Sequence, residues 1–268
     1  MLVLETRSVR EFLRAILPTE RHFLRPRTWF RGQSDATWGL LASAWRKNSW
    51  DKYGGAERFG LEASGERIKA SAEEVRRAEE RLLVVLGQVI DRTGLPAELK
   101  EGDRLDAFAQ HIGLPTRLID WTRSPLVAAY FAAEGAVSGS RGASIAVFGV
   151  SQLFFVEGPV AEVSVLTTPG AGNAMLVAQH GTHVRVTKEN PDLLAEVSRR
   201  GIATGFEPSE LDARELANHL VQVTLPRSEA AELLKVLREQ GIHGASMFPG
   251  SVGAARLVCE VMVAPDRE

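Results

Sequence analysis

Residues 126–133 read Leu-Val-Ala-Ala-Tyr-Phe-Ala-Ala, and wound as a helix this segment is apolar on nearly every side. Ser124-Pro125 stands directly before it, a capping hydroxyl followed by a proline suited to a first turn. A helix without a polar face has to be covered all round. The fold must therefore enclose this segment between other elements, which demands a substantial core. A chain of 268 residues with 44% hydrophobic and 25% charged side chains can build one.

The neighbouring elements follow from periodicity and punctuation. Ser8-x-x-Glu11 is a capping box, Val9, Phe12, Leu13, Ile16 and Leu17 form a helical apolar stripe, and Pro18 ends it. Thr28 to Gly32 reads as a short strand entering a turn, and residues 47–69, polar and glycine-interrupted, as loops with a short helix. Ser71-x-x-Glu74 opens a helix to Asp91 with Val75, Ala78, Leu82, Val85, Leu86 and Val89 along it, stopped by Gly94 and Pro96. Asp103 is placed to cap a helix that buries Leu105, Phe108, Ala109 and Ile112 and ends at Gly113, after which a polar turn leads to Ser124.

The second half changes character. Residues 143–150, 161–167, 182–187 and 220–225 carry strand-forming side chains; 172–180 suits a short helix, and 228–240 a longer one with Leu233, Leu234 and Leu237 inward. The tail 256–264 fits strand or helix. Helices first and strands mostly later, without regular βαβ units, predict an α+β fold with N-terminal helices packed on a mixed, mostly antiparallel sheet. No repeat or Pro/Gly/Ser-rich linker divides residues 1–268, so one domain is expected, with residues 1–28 as a helical N-terminal extension.

Composition removes several function classes. The formal net charge is -2, so no global charge points to nucleic acid or a membrane surface. One cysteine, Cys259, excludes an internal disulfide framework and a Cys-rich zinc site, and its apolar surroundings read as those of a buried inert thiol. Charges at Glu5, Arg7, Arg10, Glu11 and Arg14 interrupt any secretory apolar run, and no long uncharged apolar stretch predicts a membrane span. A cytoplasmic location is expected. Locally, residues 1–31 hold seven arginines against three glutamates, a balance of +4 that can attract phosphate or simply form a solvated helix face.

Two polar constellations carry the chemistry. The first is Trp29-Phe30-Arg31-Gly32-Gln33, followed by Trp38-x-Leu40 and Arg46. An arginine after two bulky aromatics sits at a burial edge, where its fork can clamp a phosphate or carboxylate or pair with an internal acid. Gly32 admits close backbone approach by a ligand, or makes a turn. The second runs from Gln110-His111 through Pro115-Thr116-Arg117-Leu118-Ile119-Asp120-Trp121-Thr122 to Ser124-Pro125, then Tyr130 and Phe131. So many polar side chains beside a buried helix must satisfy one another or await a ligand. Singly, His111 reads as a helix-end histidine, Asp120 as a cap, and Arg117 with Asp120 as a structural pair. Together they form a candidate pocket. His180-x-x-His183 has a metal-like spacing, but Gly181 interrupts it and no third ligand follows, so no metal is expected.

Phe30-Arg31-Gly32-Gln33 and the run from Ala109 to Phe131 resemble the two signatures of the FRG-domain family. Ala178-Gln179-His180-Gly181 resembles that family's third, weaker motif, with Thr182 near where an aromatic is expected. Gly241-Ile242 and Met247-Phe248-Pro249 resemble its C-terminal segment, with Gly250-Ser251 in place of Asp-Leu. The resemblance spans residues 8–255.

A fainter resemblance, to the ADP-ribosyltransferase fold, rests on the early Arg-Gly and on the Ser/Thr-rich turn entering a helix with aromatics. It implies NAD as a substrate, with Arg31, Gly32, Thr122, Ser124 and Tyr130 or Phe131 binding it, and Gln33 and Arg117 of the two motifs join them as candidate binding residues. Arg31, His111, Asp120 and Gln179, drawn from the motifs above, are the candidate catalytic residues. The glutamate such enzymes carry on a late strand has only Gln179 and Glu260 as candidates, and the periodicity around Glu260 reads as an exposed amphipathic end. The implied activity is that of a bacterial toxin or phage-defence effector acting on a protein or nucleic-acid acceptor, held in check by a partner such as an antitoxin. The alternative is a non-enzymatic nucleic-acid-binding or regulatory module using the arginine-rich N-terminal face.

Overall fold

The computed structural model of the chain describes residues 2–17, 28–139, 142–151, 163–166, 174–186, 192 and 220–265. Its strands are β1 (Leu2–Glu5), β2 (Thr28–Gln33), β3 (Ala63–Ser64), β4 (Arg67–Ile68), β5 (Leu118–Thr122), β6 (Ser144–Ser151), β7 (Val163–Leu166), β8 (Gly181–Val186) and β9 (Leu220–Pro226). Its helices are α1 (Val9–Ile16), α2 (Asn48–Asp51), α3 (Ala72–Thr93), α4 (Asp103–His111), α5 (Pro125–Val137), α6 (Ala174–Ala178), α7 (Ala230–Glu239), α8 (Gly244–Met247) and α9 (Ser251–Val263). Seven strands form a sheet in the order β1-β9-β6-β2-β5-β8-β7, with β1 parallel to β9 and the other pairs antiparallel. The fold is α+β.

The sheet is covered on both faces, as the period of two along a strand requires. Phe30, Ile145, Val147, Val221, Val223 and Leu225 turn toward α1, α5 and α7, while Trp29, Ala146, Phe148, Val150 and Val184 turn toward the side built by residues 40–78. The apolar segment that demanded enclosure is α5, pressed on β2 and β6 beneath α7 with Val127 to Tyr130 buried. Ser124 caps it, accepting from the Val127 backbone N–H at 3.4 Å. The contact with β2 fixes a glycine: a Cβ on Gly32 would sit 1.9 Å from the Ala128 carbonyl oxygen. Gly32 lies inside a strand and lets a helix approach; it does not make a turn.

Several expectations need correction. Leu2–Glu5, within the stretch read as a helical extension, is an edge strand whose register on β9 runs from Leu2 opposite Val221 to Glu5 opposite Thr224. The polar turn before Ser124 contains β5, an interior strand of the sheet. Gly102, not Asp103, precedes α4, and Asp103 instead meets Arg185 at 3.3 Å. On α4 the buried side chains are Ala107 and Ala109, whereas Ile112 past its end is 45% exposed. Ser8 does cap α1, but Glu11 accepts from the Arg7 backbone N–H, not from Ser8. The tail resolves as the helix α9, on which Cys259 is exposed. Arg21, Arg25 and Arg27 of the basic stretch lie outside the described residues.

Candidate functional site

β2 and β5 are neighbours in the sheet, yet they pair at a single register, Phe30 opposite Thr122. Beyond that pair the Arg31 side chain spans the seam: one terminal guanidinium N–H donates to the Asp120 carbonyl oxygen at 2.8 Å. The two sequence motifs thus meet at an incomplete seam, beside a cleft of about 1350 Å³. That space exceeds the roughly 300–1,000 Å³ of ordinary small-molecule pockets.

The Asp120 side chain is held independently of its carbonyl. β5 runs antiparallel to β8 with Asp120 opposite His183, so the imidazole Nε2 lies 3.3 Å from Oδ1. Gln110, from the last turn of α4, donates its amide to Oδ2 at 2.7 Å and accepts a hydrogen bond from the Thr116 hydroxyl. Burial pushes the Asp120 carboxyl up, but the hydrogen bond and charge of His183, then the charge of Arg31 and the Gln110 amide, outweigh it and bring the pKa down to about 2. The side chain keeps 53% of its surface accessible, facing the cleft. It is a fixed carboxylate, ionised throughout the physiological range.

Arg31 and Arg46 are the cations of this wall. Burial lowers the Arg31 pKa, with Asp120 opposing, and its Nε is buried with no hydrogen-bond partner. Arg46, directly after Trp45, is in the same condition: its Nε is also buried without a partner, and burial first, then the charge of Arg31, bring its pKa down to about 10 against the opposing pull of Asp120.

The other wall is aromatic and amide. Phe131 of α5 meets Phe248 edge to face, with ring centroids 5.9 Å apart, and Arg256 covers Phe248 at 4.0 Å. Gln179 follows α6 and donates its side-chain amide to the Met247 carbonyl at 3.1 Å, while its backbone carbonyl accepts from the Thr122 hydroxyl at 2.7 Å. His180 makes the turn into β8 in the left-handed region, at φ 48. The fully buried Trp45 and the half-exposed Trp38 belong to the segment that closes the cleft from above β2.

The structure therefore places Arg31, Gln33, His111, Asp120, Thr122, Phe131 and Gln179 on the cleft, together with the backbone of Gly32. It places four other candidates elsewhere. Arg117 pairs with Glu79 of α3: its Nε lies 2.5 Å from Oε2, and its backbone N–H donates to Oε1 at 2.8 Å. Burial pushes the Glu79 carboxyl up and Arg117 opposes it, which makes this a closed pair packed away from the cleft. Ser124 is occupied as the α5 cap. Tyr130 points from α5 to the far side and donates to Glu260 Oε1 at 2.8 Å. Glu260 itself is 2% exposed, not on an exposed end, and also accepts from the Gly244 backbone N–H at 3.0 Å.

Two members of the site were named in the sequence reading without being given their role. His183 was weighed only as half of a metal-like pair, and its role as the cross-strand neighbour of Asp120 needed the β5–β8 register. Arg46 carried a readable signal, since it repeats the arrangement of Arg31, an arginine immediately after a bulky aromatic.

Comparison with known proteins gives one match. A family model described as the FRG domain matches residues 26–140, the span holding Arg31, Arg46, Gln110, Asp120 and Phe131. No curated protein and no solved structure matches the chain. No described helix is long and apolar enough to cross a membrane.

Proposed function

Because residues 26–140 carry an FRG domain whose arginines and carboxylate face one cleft, we propose that this protein binds NAD there and transfers its ADP-ribosyl group to a protein or nucleic-acid acceptor. The observation that carries the reading is the state of Arg31: anchored by one N–H to the Asp120 carbonyl, it keeps a buried Nε without a partner. A charged donor left unsatisfied is costly, and an anionic ligand relieves that cost. The Phe131–Phe248 wall offers a ring-stacking surface across from the cations.

The chemistry of the reading uses Asp120. NAD supplies a glycosidic bond whose cleavage leaves positive charge on the ribose, while the electron pair departs with nicotinamide. A carboxylate kept ionised at a pKa of about 2 is suited to stabilise that charge and poorly suited to take a proton. The acceptor's oxygen or nitrogen then forms the new bond and releases its proton to water. Gln179, fixed at both its amide and its carbonyl, positions the cleft wall that meets the departing ring.

Calorimetry with NAD on the wild type, Arg31→Ala and Arg31→Lys tests the binding step. Truncation is expected to forfeit roughly 1.5–3 kcal/mol of charge-assisted hydrogen bonding, about ten- to a hundredfold in affinity. Lysine should restore little of it, because a point charge does not replace a planar fork. No heat with millimolar NAD, and no nicotinamide release with protein or nucleic-acid acceptors, overturns the reading.

A second reading rests on the N-terminal face, where Arg10 and Arg14, four residues apart on α1, are exposed and Arg7 is exposed just before the cap of the helix. A nucleic-acid-binding module using this face would lose affinity steeply with salt and on joint neutralisation of the three arginines. Absence of binding to single- or double-stranded nucleic acid at low salt removes it.

A further inference from the structure

Arg46 is not needed to explain the seam between β2 and β5, and its charge is offset only through space, by Asp120, among the described residues. Its backbone is fixed: the N–H donates to the Ser43 carbonyl at 3.0 Å, the carbonyl accepts from Ser49 at 3.1 Å, and a bridge joins it to Arg67. The side chain thus projects from a fixed turn whose Trp45 and Trp50 are fully buried.

The charge balance around it is uneven. Two half-buried guanidinium groups on the same cleft, Arg31 and Arg46, act on each other as like charges, and Asp120 is the carboxylate that acts on both. Both Asp120 oxygens are already taken, Oδ1 by His183 and Oδ2 by Gln110, so the attraction runs through space without a hydrogen bond to either cation. The remaining acids of the cleft are engaged or distant in effect: Asp35 holds the Thr37 backbone N–H at 2.9 Å and its hydroxyl at 2.7 Å, and Glu66 is exposed at the rim. Arg67 beside them is already paired with Asp192 at 3.2 Å. Arginine stays protonated at neutral pH, so the pair cannot shed its repulsion by losing a proton.

We infer that Arg31 and Arg46, both lining the cleft, form a two-cation clamp for a dianionic phosphate group, which bridges the two guanidiniums through their terminal N–H groups. Each guanidinium presents a planar fork matched to phosphate oxygens, and a dianion neutralises both charges at once. The inference rests on the ligand reading above and extends it, because it makes Arg46 a binding residue and gives the ligand's charge.

The clamp has a signature that a structural arginine lacks. Removing Arg46 from the empty protein relieves repulsion, so Arg46→Met should leave the melting temperature unchanged or raise it while weakening anion binding at least tenfold. The experiment is thermal unfolding and calorimetry of the full chain with inorganic pyrophosphate, and separately with orthophosphate, on the wild type, Arg46→Met and Arg46→Gln. Stabilisation of the wild type by millimolar pyrophosphate, lost in both variants, is the expected result. A preference for pyrophosphate over orthophosphate assigns the clamp to a diphosphate, and the reverse assigns it to a single phosphate; both support it.

A wild type that neither anion stabilises overturns the clamp, whether or not the variants fold. So do variants that bind as the wild type does, or that melt lower when empty. The two proposals fail separately: pyrophosphate binding without NAD binding sinks the NAD reading alone, whereas NAD binding indifferent to Arg46→Met sinks the clamp alone.

Discussion

The helix α5 separates two polar clusters that look alike in sequence and differ in how they end. On one side Tyr130 donates to Glu260, which also accepts from the Gly244 N–H, and every polar atom named there has its partner. On the other side Arg31, Arg46 and Asp120 face a cleft of about 1350 Å³, and two guanidinium nitrogens remain without one. The first cluster joins α5, α8 and α9 and works as internal adhesive. The second is built at a place where the sheet's own ladder is incomplete. Both combine acids with donors, so polarity does not distinguish them. Closure does: a satisfied buried cluster stabilises the fold, and one left open keeps its donors for something that is not part of the chain.

Glu260→Ala probes the closed side and should have the larger effect. It strands the buried Tyr130 hydroxyl and the Gly244 N–H together, and two unsatisfied groups cost roughly 2–4 kcal/mol. Burial, and then the hydrogen bond and charge of Glu260, already hold the Tyr130 phenol well above its usual range, so it cannot ionise to compensate. Urea unfolding should show the loss as a lower midpoint, with NAD or pyrophosphate affinity of the folded fraction unchanged. A loss of ligand affinity without a loss of stability would invert the comparison and return Glu260 to the candidate site.

Asp120→Asn probes the open side, and its effect on stability is smaller and depends on pH. The folded pKa, about 2, lies below the ordinary 3.8. The ionised carboxylate therefore contributes stability that is present above about pH 4 and is lost as pH falls through about 2. With half the side chain facing solvent, screening holds this contribution to about 1 kcal/mol. The gap between wild type and variant should be open at neutral pH and close in acid, as followed by circular dichroism. Under the transferase reading, nicotinamide release should fall far more than stability does. A variant that keeps full turnover would leave Asp120 as scaffold only.

The same contrast explains what the sequence made legible. Elements with strong local signals were readable: α3 from its capping box and stripe, α5 from its cap and proline, β6 and β9 from their β-branched runs. β5 was not, because Asp120 sits among Leu118, Ile119 and Trp121 and the five residues follow a Pro-Thr-Arg stretch that reads as turn. Only the neighbours β2 and β8 make it a strand. β1 is four residues long and draws its stability from a parallel pairing with residues more than two hundred positions away. At the site, the meeting of Arg31 with the second motif was legible from the density of polar groups needing partners. The division among them was not. Arg117 found Glu79, and Tyr130 found Glu260, through long-range packing that no spacing announces.

Ser124 lies between the two clusters in the chain and sharpens the boundary with the smallest expected effect. Its hydroxyl accepts from the Val127 N–H at 3.4 Å, a long bond, and its own N–H donates to the Thr122 hydroxyl at 3.1 Å. Ser124→Ala removes the first contact and keeps the second, because the second uses the backbone. Pro125 still fixes the first turn of α5. The expected cost is therefore at the low end of cap deletions, about 0.5–1 kcal/mol. Ligand binding should be unchanged, since the Thr122 hydroxyl still donates to the Gln179 carbonyl and holds that wall of the cleft in place. Calorimetry on this variant beside Arg31→Ala gives the decisive pairing: a cap loses stability and keeps affinity, and a clamp residue does the opposite. If Ser124→Ala weakened NAD binding as much as Arg31→Ala does, the cleft would extend past Thr122 to the start of α5, and the line drawn between adhesive and site would have to move with it.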